Sequence, residues 1–399
     1  MRTKRWLPAS LTLLPLLLGA CSLGSPSTVT PRPSPTSAVA GVQTPSPVVT
    51  VEGVVTVTTG SCPCLTLHLT SLSGASLGAA ALPSGLAPPL AAGAGGGYFV
   101  SGNLMMRVGS GGSPSQVGTV AGALSQSEAS PSQEAELGSL SVAPSGAEWA
   151  FLQSRGSGAA QDQEVWLGGS GENPRLLVST TEDSSVPSSE FPGGWSYQLL
   201  GWARGYLVLG QVPAGAGSFL SSLVEVFLVN PETGALTLVS NSESCPVSAV
   251  APSGEYACFQ QGGGKATELV TGAEGISSQS WALPSALGYG AAVFSPSGGQ
   301  ILFSLCPGCG SSPSSADLHS QMEVLDTATG SVQPVGSTGL VSDAWLPGGE
   351  IVATHYTQAA RARAGAVPLS EVVLVDASTG ALTALTSDPT SEFVGIATG

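Results

Sequence analysis

Phe294-Ser295-Pro296-Ser297-Gly298-Gly299-Gln300-Ile301-Leu302-Phe303 runs from one apolar segment through a polar turn into a second apolar segment. Pro presets its own φ, Ser bonds the backbone locally and Gly supplies a left-handed conformation, so the decapeptide reads as two antiparallel strands joined by a hairpin. The cassette recurs in Leu140 to Phe151 around Pro144-Ser145-Gly146, and at Val250-Ala251-Pro252-Ser253-Gly254. Trp345-Leu346-Pro347-Gly348-Gly349 and Gly201-Trp202-Ala203-Arg204-Gly205 are looser copies. From Gly146 the equivalent glycines follow at intervals of 59, 49, 44 and 51 residues. A period of that size with several short strands per unit marks a propeller or a related solenoid.

A second turn occupies the later half of three units: Asn230-Pro231-Glu232-Thr233-Gly234, Asp326-Thr327-Ala328-Thr329-Gly330 and Asp376-Ala377-Ser378-Thr379-Gly380. Asp or Asn accepts backbone hydrogen bonds two residues on, and Gly closes the turn. Each unit therefore holds two hairpins in succession, the content of one four-stranded blade.

On these residues the chain resembles the TolB-like and WD-repeat-like β-propellers, whose blades carry a Ser-Pro-Asp-Gly turn between their two inner strands. Ser297, Ser145 and Ser253 stand where that family usually has Asp. The resemblance covers roughly residues 138 to 399 and implies an all-β fold, with a function that the fold alone does not specify. Inner strands are expected near 139–143, 197–202, 247–251, 290–294, 341–346 and 392–397. Gly97-Tyr98-Phe99-Val100, Leu104 to Val108 and Gln116 to Ala121 are expected to complete the last of these blades, joining the two ends of the chain. That gives six blades, or seven if Val49 to Ser71 and its surroundings build another. A pair of β-sandwiches is the competing architecture.

Composition agrees with many short strands: 54 Gly and 30 Pro in 399 residues disfavour long helices. Charged residues are only 9% of the chain and its net charge is -15. From Cys21 onward 8 Lys and Arg face 26 Asp and Glu, which excludes a nucleic-acid partner, since phosphates demand clustered cations.

The chain opens with Arg2, Lys4 and Arg5 ahead of an apolar run from Leu7 to Leu18, the layout of an export signal. That run is too short to span a bilayer core of roughly 30 Å. Leu18-Gly19-Ala20-Cys21 resembles the lipobox of bacterial lipoproteins. The resemblance implies a signal peptide over 1–20, lipidation of Cys21, and an exported protein anchored to the outer face of a bacterial cell membrane. Residues 21–48 are mostly Ser, Thr, Pro and Val and read as a disordered tether. A β segment over 49–95, rich in Gly and Ala at its end, is expected to precede a propeller over 96–399.

If each blade runs from inner to outer strand, the tight turns lie on one rim and the longer connections on the other. Those are Arg155 to Glu164, Thr180 to Gly194, Val212 to Ser222, Gly272 to Gly288, Cys306 to Gln321 and Tyr356 to Ser370. Long loops on a rigid scaffold are where recognition concentrates. The candidate binding residues are Arg155, Asp162, Phe191, Trp195, Phe219, Trp281, His319, Tyr356, Arg361 and Arg363. The expected partner is a protein or a cell-envelope polymer, with the membrane engaged through the lipid alone. Trp149, Trp202 and Trp345 sit within strand patterns and read as core.

Six further cysteines, Cys62, Cys64, Cys245, Cys258, Cys306 and Cys309, form an even set that suggests disulfides in an exported chain. Cys306-Pro307-Gly308-Cys309-Gly310 also matches a metal knuckle, but Cys62-Pro63-Cys64 has the wrong spacing for its complement, and no metal is expected. Gly74-Ala75-Ser76-Leu77-Gly78 fits the string of a nucleophile elbow without the strand before and helix after that the chemistry needs. Phosphate-loop, EF-hand and His-Glu-x-x-His motifs are missing, so no cofactor and no catalytic residue is expected. The reading is a binding module, with a hydrolase or lyase using a carboxylate-lined central channel as the alternative.

Overall fold

The computed structural model describes residues 50–59, 64–83, 88–120, 136–155, 162–179, 195–213, 225–241, 245–262, 265–273, 276–284, 286, 288–306, 319–357 and 369–399. Within them every regular element is a strand, and the strands form seven antiparallel sheets of four. The chain begins with β1 (Val51–Thr59), β2 (Leu65–Thr70) and β3 (Ser76–Ala81), three strands of a sheet whose inner member comes last in sequence. Blade one follows as β4 (Leu90–Gly93), β5 (Gly96–Ser101), β6 (Leu104–Val108) and β7 (Ser115–Thr119). Blade two is β8 (Glu136–Val142), β9 (Glu148–Arg155), β10 (Asp162–Gly169) and β11 (Glu172–Ser179). Blade three is β12 (Trp195–Ala203), β13 (Tyr206–Pro213), β14 (Glu225–Val229) and β15 (Leu236–Asn241). Blade four is β16 (Val247–Val250), β17 (Tyr256–Gly262), β18 (Lys265–Ala273) and β19 (Ile276–Ala282). Blade five is β20 (Gly288–Phe294), β21 (Gln300–Cys306), β22 (Gln321–Asp326) and β23 (Val332–Val335). Blade six is β24 (Leu340–Trp345), β25 (Glu350–Tyr356), β26 (Ser370–Asp376) and β27 (Leu382–Ala384). Then β28 (Ser391–Thr398) pairs with β1 from Val51↔Thr398 to Thr58↔Ser391 and closes the ring.

The protein is thus a seven-bladed β-propeller, and the expectation of six blades is corrected. Residues 97–100, 104–108 and 116–121 do not complete the closing blade. As far as residue 120 they belong to blade one, Ala121 lying outside the described residues, and β1 to β3 occupy the place expected for them. The segment 49–95 is accordingly part of the ring, supplying three strands of the closing blade and the inner strand of blade one. Leu90-Ala91-Ala92-Gly93 hides its strand character because it carries so little bulk. Crowding demands this, since a Cβ on Gly93 would stand 2.9 Å from the Val142 side chain and one on Gly97 2.8 Å from Val55.

Blades in a ring bury both faces of each sheet, which erases the in-out alternation of a half-exposed strand. Ile301 to Cys306, six consecutive buried residues of β21, is the plainest case. Each of seven apolar clusters among the described residues bridges one pair of neighbouring blades. Leu302 and Met322 of blade five meet Leu340, Ile351 and Val375 of blade six, and Leu346 and Val352 of blade six meet Val54 of the closing blade.

Candidate functional site

Inner-to-outer strand order fixes two unlike faces. One carries the turns after the first and third strands of each blade. Asp376 Oδ1 accepts from the N–H groups of Ser378 and Thr379 at 2.8 and 2.9 Å, and Gly380 closes that turn at φ +71°. The Ser378 hydroxyl, which donates to the same oxygen at 2.6 Å, and these backbone bonds hold the Asp376 carboxyl down at about 2, and backbone and hydroxyl bonds from Thr329 lower Asp326. Arg204 and Gly205 make a two-residue turn with φ of 52° and 79°, the primed geometry that suits a twisted hairpin. Thr50 accepts from Gly399 N–H at 2.8 Å, so the chain enters the ring on this tight-turn face.

The opposite face receives the connections between second and third strands and those between blades. Phe191, Phe219, Arg361 and Arg363 of the expected binding set, together with Cys21, Cys62 and Cys309, lie outside the described residues. Arg155 and Asp162 are register partners where β9 meets β10, and Trp195 opposes Pro213 at the same end of blade three. Gly339 links Tyr356 to Ser320, the residue after His319: it donates its N–H to Ser320 O and accepts from Tyr356 N–H, each at 2.8 Å. Beside Tyr356, His355 Nδ1 lies 2.9 Å from Glu371 Oε1 across β25 and β26. Trp281 does not belong to this face as a loop residue. The stretch 272–288 contains β19, an outer strand, and Trp281 packs against the core between blades four and five beside Gly330. Its serines, Ser277, Ser278 and Ser280, disguise a strand whose alternation is polar.

Cys245 and Cys258 form a disulfide between the start of blade four and β17. Cys64 and Cys306 are each held in a disulfide as well. A half-cystine is not the thiolate that a metal knuckle needs, which removes Cys306 from that alternative. Ser76 opens β3 after a turn, with no helix behind it, so the nucleophile-elbow string has the wrong context.

A further arrangement emerges at the axis. Six of the seven inner strands carry a bulge or register shift, between Leu137/Leu140, Leu199/Leu209 to Gly201, Val247/Ala249, Gly290/Val293, Ser342/Ala344 and at the Val55/Thr56 step opposite β28. A bulge leaves its extra residue outside the ladder and re-aims it. Here the extra residues are Gly138 and Ser139, Leu200, Ser248, Ala291 and Ala292, Asp343 and Val394. Hydroxyls tie some of these positions to the neighbouring blade. Ser139 Oγ accepts from Leu199 N–H at 3.2 Å, Ser248 Oγ from Ala292 N–H at 3.1 Å and Ser304 Oγ from Ser342 N–H at 3.0 Å. Ser342 Oγ in turn donates to Ala291 O, supporting a non-glycine residue at φ 49°. A cavity of about 380 Å3 opens against this wall, lined by Ala92, Ser139, Gln198, Leu200 and Val394 among others from β28, β4, β8 and β12.

Asp343 is the one carboxyl among the bulged residues. Thr354 Oγ1 donates to its Oδ2 at 2.7 Å. Asp343 is half-buried, and desolvation pushes its pKa up to about 7 against the Thr354 bonds. The lining of the cavity is hydroxyl, amide, glycine and aliphatic. Among the described residues no group of three or more His, Cys, Asp or Glu is placed to hold a metal ion. The axial site escaped sequence reasoning because bulges have no simple spacing; its one visible trace is a carboxyl inside the apolar run Leu340-Val341-Ser342-Asp343-Ala344-Trp345.

No family model matches the chain, and no curated protein matches it. Among solved structures it is similar to TolB from Acinetobacter baumannii, with 14% identity and a TM-score of 0.40 over 60% of this chain and 53% of that one. The chain therefore spans about half the length of that TolB. An oligogalacturonate lyase in complex with manganese gives 11% identity and a TM-score of 0.47 over 73% of this chain and 79% of that one. The Dos1 propeller gives 14% and 0.41 over 62% and 61%. At such identities the likeness is one of fold, and the seven-bladed ring itself is established by strand order and register.

Proposed function

We propose that this chain is a lipid-anchored, extracytoplasmic propeller that binds a protein or a cell-envelope polymer. The observation that carries the binding reading is the axial cavity, walled by sheet-edge strands and by Ser139, Gln198, Leu200 and Val394. Such a wall offers backbone and amide hydrogen bonds and small apolar surfaces, suited to holding a neutral polar segment rather than to polarising a bond. The anchor rests on Leu18-Gly19-Ala20-Cys21 and the basic, then apolar, stretch before it. An extended tether reaches several tens of Å at about 3.1 Å per residue.

Three measurements test this reading. Cys21→Ala is expected to shift the protein from the membrane fraction to the soluble extracytoplasmic fraction; unchanged membrane retention overturns the anchor. A photo-crosslinking residue at Gln198 or Leu200 is expected to capture a discrete adduct in cells while one at Ser145, on the tight turns, does not. Equal labelling from both places overturns the axial binding site, and co-sedimentation with purified envelope polymer separates the polymer from the protein.

A further inference from the structure

The last connection of the chain ties the ring shut at a corner built from single hydrogen bonds. Between β27 and β28 the chain turns at Asp388, Pro389 and Thr390 on the loop-bearing face. Ser391 closes the turn, its N–H donating to Asp388 O at 3.2 Å and its hydroxyl to the same oxygen at 2.8 Å. Ser370 holds the turn to blade six, its N–H donating to Pro389 O at 2.8 Å and its Oγ to Ser391 O at 3.0 Å. Thr390 holds it to the closing blade. Its Oγ1 accepts from Thr59 N–H at 3.2 Å and stands between two acceptors, Thr59 O at 3.0 Å and Asp388 Oδ1 at 2.7 Å. A hydroxyl has one hydrogen, so the Asp388 carboxylate and the Thr59 carbonyl share it by turns. Asp388 Oδ1 also accepts from Thr390 N–H at 2.9 Å.

Behind this corner lies His68. Leu67 and Leu69 of β2 pack in the core shared with blade one, so His68 takes the opposite face. Thr56 and Thr58 of β1 lie on that face with Val54, which packs against blade six. His68 Nε2 is 3.0 Å from Thr58 Oγ1, one residue before the Thr59 amide that Thr390 holds. The apolar cluster at this junction is the smallest of the seven among the described residues, so the corner bonds have little packing to reinforce them. The titratable residues on the strands around β2 are Glu52 on β1, Tyr98 on β5, Arg107 on β6 and Glu392 on β28, with Asp343 on β24 across the junction. Glu52 lies beside Gly399 at the other end of β1, Tyr98 and Arg107 pair with each other, Glu392 is exposed and Asp343 is bonded to Thr354. The charge that acts on the imidazole is the Asp388 carboxylate. Desolvation of the half-buried ring outweighs that pull and lowers its pKa. The folded state thus holds this proton more weakly than the open chain does. The contribution of His68 is full above 6.5 and is lost as pH falls through the lowered value.

We propose that His68 and the turn from Asp388 to Ser391 form an acid-released latch on the strand pair that closes the ring. With His68 neutral, the ring shares a hydrogen bond with Thr58, and Asp388 stays on the N–H and hydroxyl of Thr390. A proton on His68 places an imidazolium in the seam and draws the Asp388 carboxylate toward it, away from Thr390. The corner then gives up Thr59, and β28 loosens from its Ser391 end. Because β28 also brings Val394 to the cavity wall, release reaches the axial site.

The experiment is amide hydrogen exchange by nuclear magnetic resonance on the whole chain at about pH 7.5 and about pH 5.5, the span in which a histidine titrates. Each amide is expressed as a protection factor, so that the pH dependence of intrinsic exchange drops out. Thr59, Ser370 and Ser391 are expected to lose protection severalfold at the lower pH, with Gly395 following, while the Phe259↔Leu269 pair of blade four holds. The imidazole of His68, followed through its carbon-bound protons, should titrate below an ordinary histidine, and lower still in Asp388→Asn. His68→Gln keeps a partner for Thr58 but takes up no proton, and should hold its protection at both pH values. Thr390→Val should show at the higher pH the weak protection that wild type reaches at the lower. An equal acid loss in His68→Gln, an imidazole that titrates at or above the ordinary value, or the same loss in blade four overturns the latch. A His68 midpoint that ignores Asp388→Asn overturns the part given to Asp388. Gly395 keeping its protection while Thr59 loses it overturns the reach to the axial site.

Discussion

A carboxyl inside an inner strand makes the ring respond to pH in the opposite sense to an ordinary paired carboxylate. Asp343 moves from an ordinary 3.8 to about 7 on folding because burial penalises the anion. The folded state therefore holds this proton more tightly than the unfolded chain does. Its contribution is full below about pH 4 and is lost as pH rises through about 7. At about 1.4 kcal/mol per pH unit, the loss is bounded near 4 kcal/mol. Urea unfolding at pH 5 and pH 8 should show wild type losing stability across this window, with Asp343→Asn flat by comparison; parallel curves would remove the buried acid from the account. Steric fit at single residues is equally specific. Trp149 is fully buried between blades one and two, where a Cβ on Gly118 would stand 2.2 Å from its ring and one on Gly168 2.4 Å from its Nε1. Either Gly→Ala change has to displace the indole, and overpacking of this kind costs about 1–3 kcal/mol. A lowered thermal midpoint with weakened near-ultraviolet tryptophan dichroism is the expected signature.

At the scale of the element, the hairpin turns separate conformational strain from steric contact. Gly298 sits at φ +74° in open space, whereas Gly234, at the same φ, would place a Cβ 2.2 Å from Leu177 O of the preceding blade. Gly298→Ala should cost about 1–2 kcal/mol, the left-handed penalty alone, and Gly234→Ala distinctly more, because the turn must also lift off its neighbour. Equal midpoints in denaturant would show that the Gly234 turn is free to move. The Asp376 turn gives the opposite pH sign to Asp343: its depressed carboxyl contributes above about pH 4 and loses that contribution as pH falls through about 2. Asp376→Ala should therefore flatten the acid limb of the stability curve, read by dichroism between pH 4 and 2. These turns were legible because their chemistry is local. Pro-Ser-Gly and Asp-x-x-Thr-Gly declare their own bonds within five residues, and the strands beside them follow. Ile276 to Ala282 was not legible, since outer strands bury so little that serine serves on them as well as valine.

The ring as a whole is where sequence spacing ran out. The blade count turned on Leu90 to Gly93, whose small residues read as linker, and on a closing blade whose members, Val51 to Ala81 and Ser391 to Thr398, lie at opposite ends of the described chain. No local pattern links residues so far apart; only the geometry of closure does. The axial site was hidden for the same reason, because it is assembled from inner strands of separate blades. Closure also sets the cooperativity of the molecule. Besides its ladder with β1, β28 contributes Ala397 to the core shared with blade one, and Phe393 and Ile396 pack at the junction with blade six. Thr390 adds a clasp just ahead of β28, its Oγ1 donating to Thr59 O at 3.0 Å and accepting from Thr59 N–H at 3.2 Å. Removing residues 391–399 strips two of the seven inter-blade contacts at once and leaves the β1 edge unpaired, a template for aggregation. The truncated chain is expected to lose its single cooperative transition, to expose β1 and β28-facing amides to rapid hydrogen exchange, and to associate in solution. Adding a synthetic peptide of residues 388–399 in trans should restore protection along Val51 to Thr58, because the missing strand is an independent ladder partner with its register already set. A truncated chain that unfolds at the wild-type midpoint, or that gains no protection from the peptide, would mean that six blades hold the ring without the strand that closes it.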